Sequence, residues 1–167
     1  ERDDWSVESW TEPGTKDECL RDLRIWHPDV HNIVERIEIP YKWALLGREP
    51  LEHFAQGRVC VMGDAAHPTL PFLAQGANMA LEDGVILARL LAEGGDVPSL
   101  LVRYENARLD RTARIVRGSS DNTKRFHNPA LGSPEGANEY IEREFEPAKV
   151  RARYDWLYEY DALSVAV

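Results

Sequence analysis

Apolar and polar positions change period along the chain, and each change marks an element. Residues 5–10 (Trp5, Ser6, Val7, Glu8, Ser9, Trp10) read as the inside of a β-strand, and Pro13-Gly14 closes it with a turn. Thr15-Lys16-Asp17-Glu18 has the Thr-x-x-Glu form of a capping box, and Leu20, Leu23 and Trp26 follow near helical spacing. A short amphipathic helix is expected there. His27-Pro28 ends or kinks it, because proline disfavours helical backbone in the residue before it. Val30, Ile33, Val34 and Ile37 then predict a second short helix, and residues 39–46 turn extended.

Arg58-Val59-Cys60-Val61-Met62 is a nearly continuous apolar run ending in Gly63-Asp64, the pattern of a strand buried on both faces of a parallel sheet. Residues 65–75 hold Pro68 and Pro71 and no formal charge. Gly76 then opens a helix to about Ala92, with Ala77, Ala80, Leu81, Val85, Ala88 and Leu91 on its inward face. Gly94-Gly95-Asp96 closes that helix and Pro98-Ser99 starts another. In the second helix Leu100, Leu101, Tyr104, Ala107 and Ile115 face inward, while Arg103, Arg108, Arg111, Arg114 and Arg117 form a solvated basic face. Residues 128–136 make a turn-rich linker. Residues 139–160 are helical in two pieces, interrupted at Pro147.

Composition narrows the partners. The 167 residues are 43% apolar, enough for one ordinary soluble domain with a real core. Twenty basic against 29 acidic residues give a formal charge of −9, and no Lys/Arg run exceeds two residues, so neither nucleic acid nor an anionic membrane surface is an expected partner. No apolar stretch approaches the roughly 20 residues that span a bilayer, and no signal-peptide core opens the chain. A cytoplasmic location follows as the expectation. Cys19 and Cys60 form no CxxC pattern and read as free thiols without a redox or zinc role. The chain opens on Glu1, already inside a strand-like run, which suggests a piece of something longer.

One segment carries candidate chemistry, from Gly63-Asp64-Ala65-Ala66-His67-Pro68 through Gly76-Ala77-Asn78 to Glu82-Asp83. A strand delivers a carboxylate, small residues let a ligand approach the backbone, and a helix begins with Gly-Ala-Asn, whose free amides face any partial negative charge. Asp64 can accept hydrogen bonds from sugar-type hydroxyls. The amides of Ala77 and Asn78 can stabilise an electron-rich carbonyl. From these residues alone, the ligand stays open.

The stretch from Gly63 through Leu87-Ala88 resembles the second FAD-binding motif of the single-component FAD-dependent aromatic hydroxylases, the group of salicylate hydroxylase, 3-hydroxybenzoate 6-hydroxylase and 6-hydroxynicotinate 3-monooxygenase. Gly-Asp-Ala-Ala-His, a proline shortly after, Gly-x-Asn at a helix start and Glu-Asp occur together. The flanks are similar more loosely, at residues 5–11, at Arg103-Tyr104-Glu105 with Arg108, and at the tail 155–161. The resemblance implies an α/β fold: the C-terminal portion of a Rossmann-like, three-layer FAD-binding architecture, mostly helical in this piece. Residues 1–46 then close the substrate-binding sheet with its connecting helices, 47–127 belong to the FAD-binding domain, and 128–167 form a helical tail.

The same resemblance implies site residues. Gly63 gives close approach, Asp64 holds the ribityl chain, Pro71 lies beside the flavin ring, and the Gly76, Ala77 and Asn78 helix start meets the pyrimidine carbonyl. No catalytic side chain and no metal ligand is assigned. The implied reaction is hydroxylation of a small aromatic or heteroaromatic acid, with FAD as cofactor and NAD(P)H and dioxygen as co-substrates. No GxGxxG motif follows a strand here, so the piece alone is expected to bind FAD weakly or not at all. Its partners are the N-terminal part of the same protein or a second copy in a homodimer, which would cover unpaired strand edges. The alternatives are a non-catalytic FAD-fold scaffold and another flavin oxidoreductase, such as an epoxidase, a reductase or a quinone-pathway hydroxylase.

Several residues have blander readings. His67 is expected to hold its loop by a hydrogen bond rather than act as a base. His27 and His31, separated by Pro28, read as a solvated pair rather than metal ligands. Glu82 and Asp83 are adjacent on a helix and point apart, so a structural role is expected. Trp156, Tyr158 and Tyr160 are expected to pack.

Overall fold

A computed structural model of the chain describes Ser9 and residues 11–167. The strand expected over residues 5–10 lies, apart from Ser9, outside the described residues. Two compact units divide the chain, residues 1–46 and 47–167.

In the first unit, β1 (Glu12–Pro13) pairs antiparallel with β2 (Tyr41–Lys42). Between them run α1 (Lys16–Asp22) and α2 (Pro28–Glu35). The capping box is complete: Thr15 Oγ1 accepts from the Glu18 amide at 3.2 Å, and Glu18 Oε2 accepts from the Thr15 amide at 2.9 Å. Pro28 stands at the start of α2, where its missing N–H costs nothing, and the His27 ring accepts from the Asp29 amide. His31 Nε2 donates to the Leu23 carbonyl at 2.8 Å, so the two histidines serve different helix ends.

The second unit opens with a hairpin, β3 (Ala55–Gln56) and β4 (Val59–Cys60), turning through Gly57 at φ +60°. This corrects one expectation. The run from Arg58 to Met62 was expected to be a parallel strand buried on both faces. It pairs antiparallel with the segment just before it, Ala55 opposite Cys60, and Val59 stays 70% exposed. A parallel neighbour requires a crossover connection of a dozen or more residues, and no described segment supplies one. Glu105 secures the hairpin by accepting from the amides of Phe54 and Ala55.

Two helices form the body: α3 (Gly76–Ala92) and the 30-residue α4 (Val97–Phe126), about 45 Å long. Asp96 caps α4, accepting from the Ser99 amide and hydroxyl at 3.1 and 2.6 Å. Phe54, Ala66, Ile86, Leu90 and Tyr104 build one core cluster, and Met79, Ile115 and Leu157 a second. The tail adds α5 (Pro134–Glu144) and α6 (Pro147–Tyr158), divided before Pro147 as expected. The linker is shorter than expected, because Ser133 caps a helix that begins at Pro134. Arg89 draws the chain end back, donating to the carbonyls of Ala162 and Val165.

The inward face of α3 also differs from expectation. Met79, Asp83, Ile86 and Leu90 are buried, whereas Ala77, Leu81, Ala88 and Leu91 are exposed. This helix is apolar nearly all round, so periodicity alone does not choose its face. Across from it stands Arg108, and the stripe carrying Asp83 wins. Accordingly, Ile86→Ala should destabilise this chain by about 2–5 kcal/mol, and Leu81→Ala by less than about 0.5 kcal/mol, in urea denaturation. Equal losses would return Leu81 to the core.

Candidate functional site

The candidate site begins where β4 runs out. Gly63 is buried at φ +57°, a left-handed conformation that disfavours any side chain, and it opens a 3₁₀ turn over Gly63–Ala65. Its carbonyl accepts from the amides of Ala66 and His67, both at 2.9 Å, and its own amide donates to Asp83 Oδ2 at 2.9 Å. This geometry leaves Asp64 exposed, its carboxylate without a hydrogen-bond partner among the described residues. Farther on, Pro71–Leu73 form a second 3₁₀ turn that ends at Ala74 with φ +53°, a left-handed backbone that costs a non-glycine residue about 1 kcal/mol.

An open cleft of about 580 Å³ lies between these turns and the start of α3. Asp64, Pro71, Gly76 and Ala77 line it together with Thr69 and Ala80. Two residues singled out from sequence stand back from it. Gly63 lies buried beneath the turn, and the Asn78 side chain donates to Gln75 Oε1 at 3.4 Å. Gln75 offers no side-chain cap, and the first turn of α3 holds no acid, so the amides of Gly76, Ala77 and Asn78 have no acceptor among the described residues. Such a cleft can bind a polyhydroxylated ligand on its carboxylate side and an electron-rich group on its amide side.

Beneath the cleft runs a buried polar chain. His67, 1% exposed, donates from Nε2 to Asp83 Oδ2 at 2.6 Å, the loop-holding role expected of it. Arg108 Nε donates to Asp83 Oδ1 at 2.7 Å, and its Nη2 donates to Glu82 Oε2 at 2.7 Å. Arg111 makes a bidentate pair with Glu82, donates to the Trp156 and Leu157 carbonyls, and lies 3.7 Å over the Tyr160 ring. Burial pushes the Asp83 carboxyl up, but hydrogen bonds from His67, the Gly63 amide and Arg108 outweigh it and hold the group below the usual carboxylate range.

This chain corrects the reading of the basic face. Arg108 is fully buried and Arg111 nearly so, because Glu82 and Asp83 across the helix pair make an apolar-side guanidinium affordable. The signal was in the sequence. Tyr104, Arg108, Thr112, Ile115, Ser119 and Asn122 recur at steps of three and four, one continuous inward stripe. Ser119 and Asn122 on that stripe were also missed. They donate to the Leu70 and Phe72 carbonyls at 2.5 and 3.0 Å and shape the loop that forms the cleft wall.

Residues 3–119 match the FAD binding domain family. The chain belongs to that family. A 3-amino-4-hydroxybenzoate 2-monooxygenase of Streptomyces platensis is 35% identical over 164 residues, covering 97% of this chain and 40% of that relative. A 6-hydroxynicotinate 3-monooxygenase of Bordetella bronchiseptica is 40% identical over 122 residues, 71% of this chain and 32% of the relative. Among solved structures, a salicylate hydroxylase substrate complex superposes with a TM-score of 0.74 at 28% identity, covering 95% of this chain and 38% of that one. The resemblance to FAD-dependent aromatic hydroxylases and the α/β FAD-binding fold class, mostly helical here, are thus borne out. The chain spans about two fifths of the first of these relatives.

Within this FAD-binding fold, Asp83 gives a direct test. Its lowered pKa means that the folded state loses stability as pH falls through the native value, with full benefit above the unfolded value of about 3.9. Asp83→Asn should cost about 3–5 kcal/mol by stranding Arg108 and His67. It should also flatten the acid limb of the stability curve in denaturation series run from neutral pH downward.

Proposed function

We propose that the chain is the flavin-binding portion of a monooxygenase that hydroxylates a small aromatic or heteroaromatic acid with NAD(P)H and dioxygen. The observation that carries this reading is the cleft itself, where Asp64, Pro71 and the uncapped start of α3 converge. FAD, when bound, supplies the passage of electrons from NAD(P)H to dioxygen that hydroxylates the ring. Asp64 accepts hydrogen bonds from ribityl hydroxyls, and Gly63 provides the turn that presents it. The amides of Gly76, Ala77 and Asn78, at the positive end of α3, stabilise negative charge on the pyrimidine edge. Pro71, with Phe72 and Leu73, keeps water from the reacting edge.

The segment assignment goes with this reading: residues 1–46 to the substrate sheet and its connecting helices, 47–127 to the cofactor domain, and 128–167 to the tail. The relatives support the substrate class, since those named act on 3-amino-4-hydroxybenzoate and 6-hydroxynicotinate. Further partners follow from exposed apolar groups. Val59, Met62, Leu81 and Leu91 are 70%, 39%, 70% and 46% exposed, apolar groups that the N-terminal part of the same protein or a second copy in a homodimer would cover. None of the described helices is long and apolar enough to cross a membrane, and the acidic chain suits the cytoplasm.

The complete protein should show oxidised-flavin absorption and consume NAD(P)H when offered hydroxybenzoates or hydroxynicotinate. Asp64→Ala should weaken FAD retention about tenfold or more, the worth of charge-assisted hydrogen bonds. Stability should change by less than about 0.5 kcal/mol, because Asp64 is exposed and unpaired. Retention unchanged in equilibrium dialysis removes Asp64 from the ribityl site. A colourless protein that cannot be loaded with FAD favours the scaffold reading.

A further inference from the structure

A second cleft, of about 360 Å³, lies between the C-terminal half of α4 and the middle of α6. Its walls carry Arg114, Arg117, Arg125 and Arg153 against a single acid, Asp121. In a chain with 29 acidic and 20 basic residues, such a gathering of positive charge is against the average. Other arginines of α3 and α4 have partners: Arg103 pairs with Glu93, Arg108 and Arg111 pair with Glu82, and Arg89 binds two carbonyls. Arg114, Arg117 and Arg125 reach no carboxylate among the described residues. Arg153 shares Glu144 with Arg143, and Arg125 gives one N–H to Asn122.

Arg114 is also prearranged. Its guanidinium lies 3.6 Å over the Trp156 ring, which uses the flat face and leaves the in-plane N–H groups free. Neither Arg114 nor Arg117 donates a hydrogen bond to any described acceptor. Like charges on one cleft wall repel, and only Asp121 in the wall and the Glu144 partner of Arg153 offset that cost. A cleft lined by planar forks suits phosphate oxygens, which accept bidentate pairs. Position adds a second argument. Leu73 lines this cleft, and it belongs to the same 3₁₀ turn as Pro71, which lines the Asp64 cleft. Gly118 permits that packing, since a Cβ there would stand 3.2 Å from the Leu73 side chain.

We propose that the Arg114, Arg117, Arg125 and Arg153 cleft binds the pyrophosphate of the nicotinamide dinucleotide that reduces the flavin. The identity of the dinucleotide rests on the hydroxylase reading above, whereas the anion site rests on the arginines alone. The cleft takes the doubly charged linker rather than the whole dinucleotide, and its place one turn from the flavin cleft suits a co-substrate that must reach that cofactor.

The test uses the complete protein loaded with FAD, titrated calorimetrically with inorganic pyrophosphate and assayed for the KM of NADH and NADPH. The double variant Arg114→Gln, Arg117→Gln should weaken pyrophosphate binding about tenfold or more and raise the KM for the dinucleotide to a similar extent. FAD content should stay at the wild-type level, and binding should weaken with added salt. The double variant Arg24→Gln, Arg151→Gln, which removes the same charge outside the cleft, should alter neither constant. Pyrophosphate that fails to bind the wild type, or binds the double variant equally well, overturns the site. Loss of pyrophosphate binding with an unchanged nicotinamide KM overturns the dinucleotide and assigns the cleft to free phosphate species. A protein that holds no flavin overturns the hydroxylase reading and the dinucleotide with it, while the pyrophosphate titration still decides whether the arginines form an anion site.

Discussion

The Asp83–Arg108 pair is the constraint on which the second unit depends. Both side chains are fully buried, so each would be prohibitive alone, and the fold exists only where the two meet with every guanidinium nitrogen directed to an acceptor. Arg108 spreads its donors over Asp83, Glu82, the Met79 carbonyl and the Tyr160 hydroxyl. Asp83 spends its second oxygen on His67 and the Gly63 amide. One ion pair therefore sets the rotation of α3, the register of α3 on α4, the shape of the Gly63 turn and the return of the tail. An apolar pair of similar volume could hold the helices together. It could not hold the turn, because an apolar side chain offers no acceptor for His67 and the Gly63 amide.

That dependence explains what was legible in the sequence. Helix starts were legible because their signals are local: Thr15 with Glu18, Pro98 near the start of α4 and Pro147 at a break act within a few residues. The turn at Gly63 and the helix start at Gly76 were legible because their backbone demands leave a long residue pattern, from Gly63 through Asp83. Long-range choices were less so. The inward face of α3 is set by Arg108, 25 residues away, against an equally apolar competing stripe. Arg108 itself was hidden by residue type, since arginine reads as solvated although its spacing from Tyr104 and Thr112 puts it inside. The strand after Arg58 failed for another reason: a run buried on both faces implies sheet neighbours, and the described chain offers only the adjacent Ala55–Gln56.

Long helix α4 links these features, and its inward stripe changes character along its length. Near its start Tyr104 and Glu105 support the hairpin that leads into the Gly63 turn. In the middle, Arg108 and Arg111 neutralise the acids of α3. Near its end Ser119 and Asn122 hold the Leu70 and Phe72 carbonyls, fixing the wall that carries Pro71. Floor, charge balance and wall of the cleft are thus referred to a single rigid element. A rigid reference matters because hydrogen bonds to a ligand weaken steeply with misplacement.

Satisfied and unsatisfied groups divide along the same line. Below the cleft nearly every buried polar atom is paired, the His67 Nδ1 atom being the one buried side-chain exception among the described residues. Above it, Asp64, the first amides of α3 and the N–H groups of Arg114 and Arg117 stand without a hydrogen-bond partner among the described residues. Folding energetics favours pairing wherever a partner is within reach, and this acidic chain has acids to spare for Arg114 and Arg117. Groups left open in two neighbouring clefts, beside groups that are closed, are those on which both proposed ligand sites rest.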